Sequence, residues 1–212
     1  MAILIDSALV DEVKQAGQLG FVHGVTTNPG LLAKVKDAPA EVIRQLCLVA
    51  SGPVFYQLTA AAPAEREREA LEFFGIACDR IVLKVPATTA NMALIARLQA
   101  RGVPCAATAV FAAYQAVAAA EAGARYVIPY VSRVSRLGGD GLGLVRELRE
   151  AVGATGRQVR ILAASIKSPE EAVAALVAGA DDLTLPLEVL TALGNHRRSE
   201  EAIAEFDAVR RR

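Results

Sequence analysis

A chain of 212 residues is long enough for one large domain with its own core and short for two. Its hydrophobic fraction of 53% is high, and 23 basic residues balance 23 acidic ones to a net charge of +0. That balance points to neither nucleic acid nor an anionic membrane surface as a partner.

Arg210, Arg211 and Arg212 read as a solvated tail rather than a binding patch. The three cysteines, Cys47, Cys78 and Cys105, are too few and too scattered for a disulfide framework or a metal knuckle. All three read as small buried hydrophobes. Asp6 interrupts the first apolar stretch, so no secretory leader is expected at the start. The run Gly102–Ala120 is uncharged and nominally of membrane-spanning length, but it is mostly alanine and carries Pro104, Thr108, Tyr114 and Gln115. It reads as a buried strand running into a helix. A reduced, cytoplasmic setting is expected. His23 and His196 have no obvious co-ligands, so neither a metal nor a cofactor is expected.

Strand-length apolar segments alternate with helical patterns along the chain. Ala2–Asp6 reads as a strand and Ala8–Gln18 as a helix. Gly20–Val25 is the second strand, followed by a short helix after Pro29 and a longer one over Pro39–Ala50. Pro53–Leu58 precedes a charged helix from Pro63 to Phe74. Arg80–Val85 precedes a helix over Thr89–Arg101. Pro104–Val110 runs into an alanine-rich helix ending at Ala122. Arg125–Tyr130 is followed by Leu142–Val152, and Gln158–Ala164 by Pro169–Ala178. Asp182–Leu185 leads to Leu187–Leu193. A last amphipathic helix, about 199–209, carries Ile203 and Phe206 on one face. Eight strands, each followed by a helix and rich in Val, Ile, Leu and Ala, predict a parallel sheet covered on both faces. No G-x-G-x-x-G follows the first strand, and the count favours closure over a doubly wound sheet. The expected fold is an α/β, (β/α)8 TIM barrel in a single domain over 1–212, with an extra C-terminal helix.

Such barrels place their chemistry at the C-terminal ends of the strands. There the sequence sets Asp6, the Thr26-Thr27-Asn28 run, Gln57, Lys84, Thr108, Tyr130 and Ser165. Lys84 is the sharpest of these, an ammonium within Ile81-Val82-Leu83-Lys84-Val85-Pro86, in a chain with five lysines against 18 arginines. Desolvation lowers a lysine's pKa, and a neutral amine can attack a carbonyl to form an imine. Protonated, that imine is an electron sink that lets the adjacent carbon–carbon bond break. The alternative is a lysine that merely pairs with Asp6 in a non-catalytic, sugar-phosphate-binding barrel. On spacing alone Asp6 reads first as a helix N-cap, and Asn28 can be read as a turn residue before Pro29. Gln57, Thr108 and Tyr130 are neutral groups able to hold a proton-transferring water, although Tyr130 also fits a rim aromatic. Arg133 and Ser165 are the chosen phosphate ligands, with Arg136, Lys167 and the Gly138-Gly139-Asp140-Gly141 run nearby.

Taken in order, Asp6, Gly24-Val25-Thr26-Thr27-Asn28-Pro29, Val82-Leu83-Lys84-Val85-Pro86, Thr108-Ala109-Val110, Pro129-Tyr130-Val131-Ser132-Arg133, Leu162-Ala163-Ala164-Ser165 and Thr184-Leu185-Pro186 resemble the transaldolase family of class I aldolases. The resemblance implies a Schiff-base lysine at Lys84, roles for Asp6 and Asn28 in chemistry and hydroxyl binding, and a homo-oligomer, pentamer or decamer, with the terminal helix packed on a neighbour. Within its small branch, Gln57 and Tyr130 look like fructose-6-phosphate aldolase, where transaldolases typically carry Glu and Phe. The expected reaction is therefore reversible cleavage of fructose 6-phosphate to dihydroxyacetone and glyceraldehyde 3-phosphate. Transfer of the dihydroxyacetone unit between sugar phosphates is the alternative. Ile128 departs from the small residue usual before Pro129 and leaves the preferred donor and acceptor open.

Overall fold

The computed structural model describes residues 1–210, so Arg211 and Arg212 of the expected tail lie outside the described residues. The chain begins with β1 (Ile3–Asp6), α1 (Val10–Gln18), β2 (Val25–Thr26), α2 (Pro29–Leu32) and α3 (Pro39–Val49). It continues through β3 (Val54–Gln57), α4 (Pro63–Phe74), β4 (Ile81–Pro86), α5 (Thr89–Ala100), β5 (Cys105–Val110) and α6 (Ala113–Glu121). Next come β6 (Tyr126–Pro129), α7 (Val131–Arg136), α8 (Gly141–Thr155), β7 (Arg160–Ala163) and α9 (Pro169–Val177). The last elements are β8 (Asp182–Leu185), α10 (Leu187–Ala192) and α11 (Arg197–Arg210).

All strands pair in parallel and in sequence order, and β8 returns to β1 to close the sheet. This is the (β/α)8 barrel that the alternating pattern predicts. The helices cover its outside, where one apolar cluster joins the outward face of each strand, such as Ile81, Leu83 and Val85, to helix residues such as Ile43, Leu46, Leu98 and Leu148. The run Gly102–Ala120 is β5 and most of α6, as read from its Pro and polar interruptions. No described helix is long and apolar enough to cross a membrane.

Three corrections to the sequence reading have physical causes. The second strand begins at Val25, not Gly20, because Gly20 takes a left-handed turn (φ 78°) just beyond the end of α1. Cys47 and Cys105 are buried as expected, but Cys78 is exposed, in the turn before β4. Between β6 and the glycine run, where the sequence predicts no helix, stands α7. Six residues cannot sustain a helix alone, and this one is held by tertiary contacts described below.

The strand register sorts the inward side chains into layers contributed by alternate strands. Leu4, Phe55, Ala106 and Leu162 form an apolar layer, and all belong to the small inner cluster. Above it stand Thr26, Lys84, Ile128 and Thr184, from β2, β4, β6 and β8. Asp6, Gln57, Thr108 and Ala164 follow, from β1, β3, β5 and β7. Polarity thus rises along the barrel axis toward the C-terminal ends of the strands.

Candidate active site

A cavity of about 530 Å³ opens at that end. Asp6, Asn28, Gln57, Lys84, Tyr130, Arg133 and Ser165 all line it, so most of the side chains singled out in the sequence converge there. Thr26 and Thr108 do not line it. Both are fully buried and act on residues that do. Sequence reading missed Thr184 and Lys34 in the lining, and Arg136 and Lys167 join the chosen pair of phosphate ligands. Lys34 leaves no signal because it lies on a loop, beyond the strand ends.

A larger hollow, about 1080 Å³, lies at the opposite end of the barrel, lined by segments that precede strands, such as Asp79, Gly102, Gly123 and Gln158. Its Arg149, Arg157 and Arg160 are already paired with Asp181, Glu121 and Asp182. At the mouth of the first cavity the reverse holds. Among the described residues, Lys34, Arg133, Arg136 and Lys167 enter no ion pair. Unpaired cations around a polar cavity mark the end of the barrel that is equipped for an anionic ligand.

Lys84 is 3% exposed, midway along β4, with Gln57 beside it in register. Its Nζ donates to the Thr27 carbonyl at 2.7 Å, which aims the amine across the barrel. It forms no ion pair with Asp6, so the simple pairing considered from the sequence is not what holds it. Burial lowers its pKa from 10.5 to about 8, and the Asp6 charge partly opposes the shift. At pH 7 about a tenth of such amines are neutral, against about three in ten thousand for a free lysine.

Asp6 does not cap α1, whose N-cap is Leu9. Instead Oδ1 accepts from Thr26 Oγ1 at 2.7 Å, and Thr26 Oγ1 lies 2.6 Å from Thr184 Oγ1. A hydroxyl has one proton, so with Thr26 donating to the carboxylate, Thr184 must donate to Thr26. This chain fixes Asp6 and leaves its second oxygen toward the cavity. Asn28 serves both readings: Oδ1 caps α2 by accepting from Leu31 N at 3.0 Å, while the residue lines the cavity and can offer its amide N–H groups there.

Thr108 pairs in register with Ile128, which places Tyr130 one inward position higher, and the two hydroxyls meet at 3.0 Å. Ala109, in the left-handed region at φ 55°, forms the bulge that ends regular pairing there. The Arg133 guanidinium sits 4.7 Å over the Tyr130 ring, and Phe111 packs edge-on against it, so this tyrosine is tethered on three sides. Gln57 Oε1 is buried without a hydrogen-bond partner in the protein, an acceptor held ready beside the amine. Ser165 also has positive φ, at 63°, a strained backbone of the kind that clusters at functional sites. Among the described residues no group of three or more His, Cys, Asp or Glu side chains is placed to hold a metal ion.

Comparison with known proteins identifies the family. Residues 3–212 match the model of the transaldolase/fructose-6-phosphate aldolase family. The chain belongs to that family. Its relatives include a probable transaldolase of Methanococcus maripaludis strain C5, 36% identical over 206 residues, covering 97% of this chain and 95% of the relative. A probable transaldolase of Desulforapulum autotrophicum is 36% identical over 208 residues, with 98% and 96% covered. One from Leptospira biflexa is 35% identical over 206 residues, with 97% and 96% covered. Membership in the transaldolase/fructose-6-phosphate aldolase family spans the whole barrel.

Proposed function

We propose that the protein is a Schiff-base aldolase that reversibly cleaves fructose 6-phosphate to dihydroxyacetone and glyceraldehyde 3-phosphate. The observation that carries the aldolase reading is the tethered Tyr130 hydroxyl, bonded to Thr108 above the lysine layer. Neutral Lys84 attacks the ketose carbonyl, and loss of water gives the imine, which is then protonated. Asp6 takes the proton of the C4 hydroxyl, which becomes the aldehyde carbonyl as the C3–C4 bond breaks and its electrons pass into an enamine. Glyceraldehyde 3-phosphate leaves. Gln57 and Thr108 organise the water that hydrolyses the imine, and the Tyr130 hydroxyl beside it helps deliver the proton to the enamine. Asn28 holds a substrate hydroxyl, Thr26 orients Asp6, and Arg133 with Ser165 takes the phosphate.

A second reading is transfer of the three-carbon unit to another sugar phosphate, favoured by the name printed for the relatives, probable transaldolase. Incubation with fructose 6-phosphate and no acceptor separates the two. Continuous release of glyceraldehyde 3-phosphate, matched by free dihydroxyacetone, is expected. Release that stops near one equivalent per subunit and resumes with erythrose 4-phosphate would mean transfer instead.

The burial of Lys84 gives a pH prediction. The neutral amine is the nucleophile, so kcat/KM should rise with pH along a limb centred near 8. Because Asp6 raises the lysine pKa, Asp6→Asn should move that limb to lower pH, whatever it does to the plateau. A limb centred above 10 would show that the lysine is not desolvated in solution.

We also propose a cytoplasmic homo-oligomer. Helix α11 buries none of its residues, and Ile203, Phe206 and Val209 stand 58%, 70% and 73% exposed on it. An apolar stripe of that kind suits a neighbouring subunit. Light scattering showing a 22.3 kDa particle would overturn this.

A further inference from the structure

We propose that Glu171 is a positioning residue that sets the spacing of the phosphate grip formed by Arg133 and Ser165. The inference rests on the reading of those two residues as phosphate ligands. Glu171 belongs to α9 and stands behind the cavity wall rather than in its lining. Its carboxylate accepts from the buried Ser132 hydroxyl at 2.6 and 2.7 Å and from the Lys167 backbone N–H at 2.7 Å. Ser132 directly precedes Arg133 in α7, and Lys167 lies just beyond Ser165. One carboxylate thus joins the short helix that presents the guanidinium to the loop that presents the serine.

The junction is closed from both sides. Ser132 N donates to the Ser165 carbonyl at 3.2 Å, Val131 N donates to the Ala164 carbonyl at 2.9 Å, and Glu171 N donates to Ser168 Oγ at 3.2 Å. A residue with φ 63° such as Ser165 keeps its strained backbone only where its surroundings over-determine it, and these bonds supply that constraint. A six-residue helix likewise needs an external anchor. The partners of Glu171 are neutral donors, a hydroxyl and backbone N–H, although Arg133 and Lys167 are close in the chain. The carboxylate is therefore satisfied without drawing either cation away from the cavity.

The test compares fructose 6-phosphate with fructose as ketose, an aldehyde acceptor being present throughout. Glu171→Ala is expected to raise KM for fructose 6-phosphate about tenfold, with kcat changed less than about twofold and KM for fructose unmoved. Competitive inhibition by inorganic phosphate should weaken in step. Glu171→Gln, which keeps an acceptor for the same donors, should stay near the parent. Ser132→Ala removes the link from its other side and should reproduce Glu171→Ala, and the double variant should be no worse than the more affected single one. Equal changes in KM for both ketoses, or a fall in kcat alone, would overturn the proposal. So would discrimination lost in Arg133→Ala but kept in Glu171→Ala and Ser132→Ala, which would leave the phosphate reading standing. If parent and Arg133→Ala treat the two ketoses alike and phosphate does not inhibit, the phosphate reading falls and the positioning role with it.

Discussion

Lys84→Met is expected to form no borohydride-trapped adduct with fructose 6-phosphate and to lose at least about a thousandfold in kcat/KM. The parent should gain one reduced adduct per subunit, read by intact mass and mapped to the peptide containing Lys84. Lys34 and Lys167 also line the cavity, but no other lysine lies within a described strand or is buried, so neither shares the desolvation of Lys84. Stability should move the other way. Holding the ammonium in a site where its pKa is about 8 rather than 10.5 costs about 3 kcal/mol below pH 8. That cost fades as pH rises from about 8 to 10.5, because the unfolded chain still binds the proton there and the folded one does not. Methionine carries no such cost, so the variant should melt no lower than the parent at pH 7. A trapped adduct in Lys84→Met would end the Schiff-base assignment at this residue, and a parent that binds fructose 6-phosphate without any reducible adduct would revive the reading of a barrel that only binds.

Tyr130→Phe is the second large effect. It removes one oxygen, keeps the ring between Arg133 and Phe111, and frees the Thr108 hydroxyl. Acceptor-independent release of dihydroxyacetone should fall about a hundredfold or more, the scale of a lost general acid. Transfer to an added aldehyde should fall far less, because capture of the enamine by an acceptor needs no proton on the enamine carbon. The variant would then behave as a transferase. If both activities drop together, Tyr130 serves binding or cleavage rather than release. Ile128, in the same layer as Lys84, is the other inward side chain of β6 near the reacting centre, and its bulk bears on which donors fit.

Much of this was legible before any fold was known, and the reasons are specific. The strands could be read because a sheet covered on both faces needs near-continuous apolar runs, and β4 and β5 supply six-residue examples broken only by Lys84 and Thr108. Lys84 could be read because an ammonium between aliphatic neighbours has no cheap structural explanation. Its true partner, the Thr27 carbonyl, could not, since that contact crosses from β4 to the end of β2. The α7 helix was illegible for a similar reason: too short for periodicity, it exists through Ser132 and Glu171, 39 positions apart in sequence. The Thr184–Thr26–Asp6 chain spans 158 residues at its longer step and leaves no local trace. Cys78 was misjudged because its apolar neighbours suggest a core position, whereas it occupies a turn.

The unpaired cations around the mouth have a kinetic consequence. A molecule of zero net charge would be expected to leave a charged metabolite's approach to chance. Here Lys34, Arg133, Arg136 and Lys167 concentrate positive potential at one end of the barrel, whereas three of the four arginines lining the hollow at the opposite end, Arg149, Arg157 and Arg160, are paired with carboxylates. On the proposed function, a phosphorylated sugar is steered toward that end while still outside contact range, and a neutral sugar is not. The gain belongs to the encounter rate and reaches only about a Debye length, about 8 Å at physiological salt. Added salt is therefore expected to erode the preference for phosphorylated over plain sugars that the proposed function implies, without altering a single contact inside the cavity.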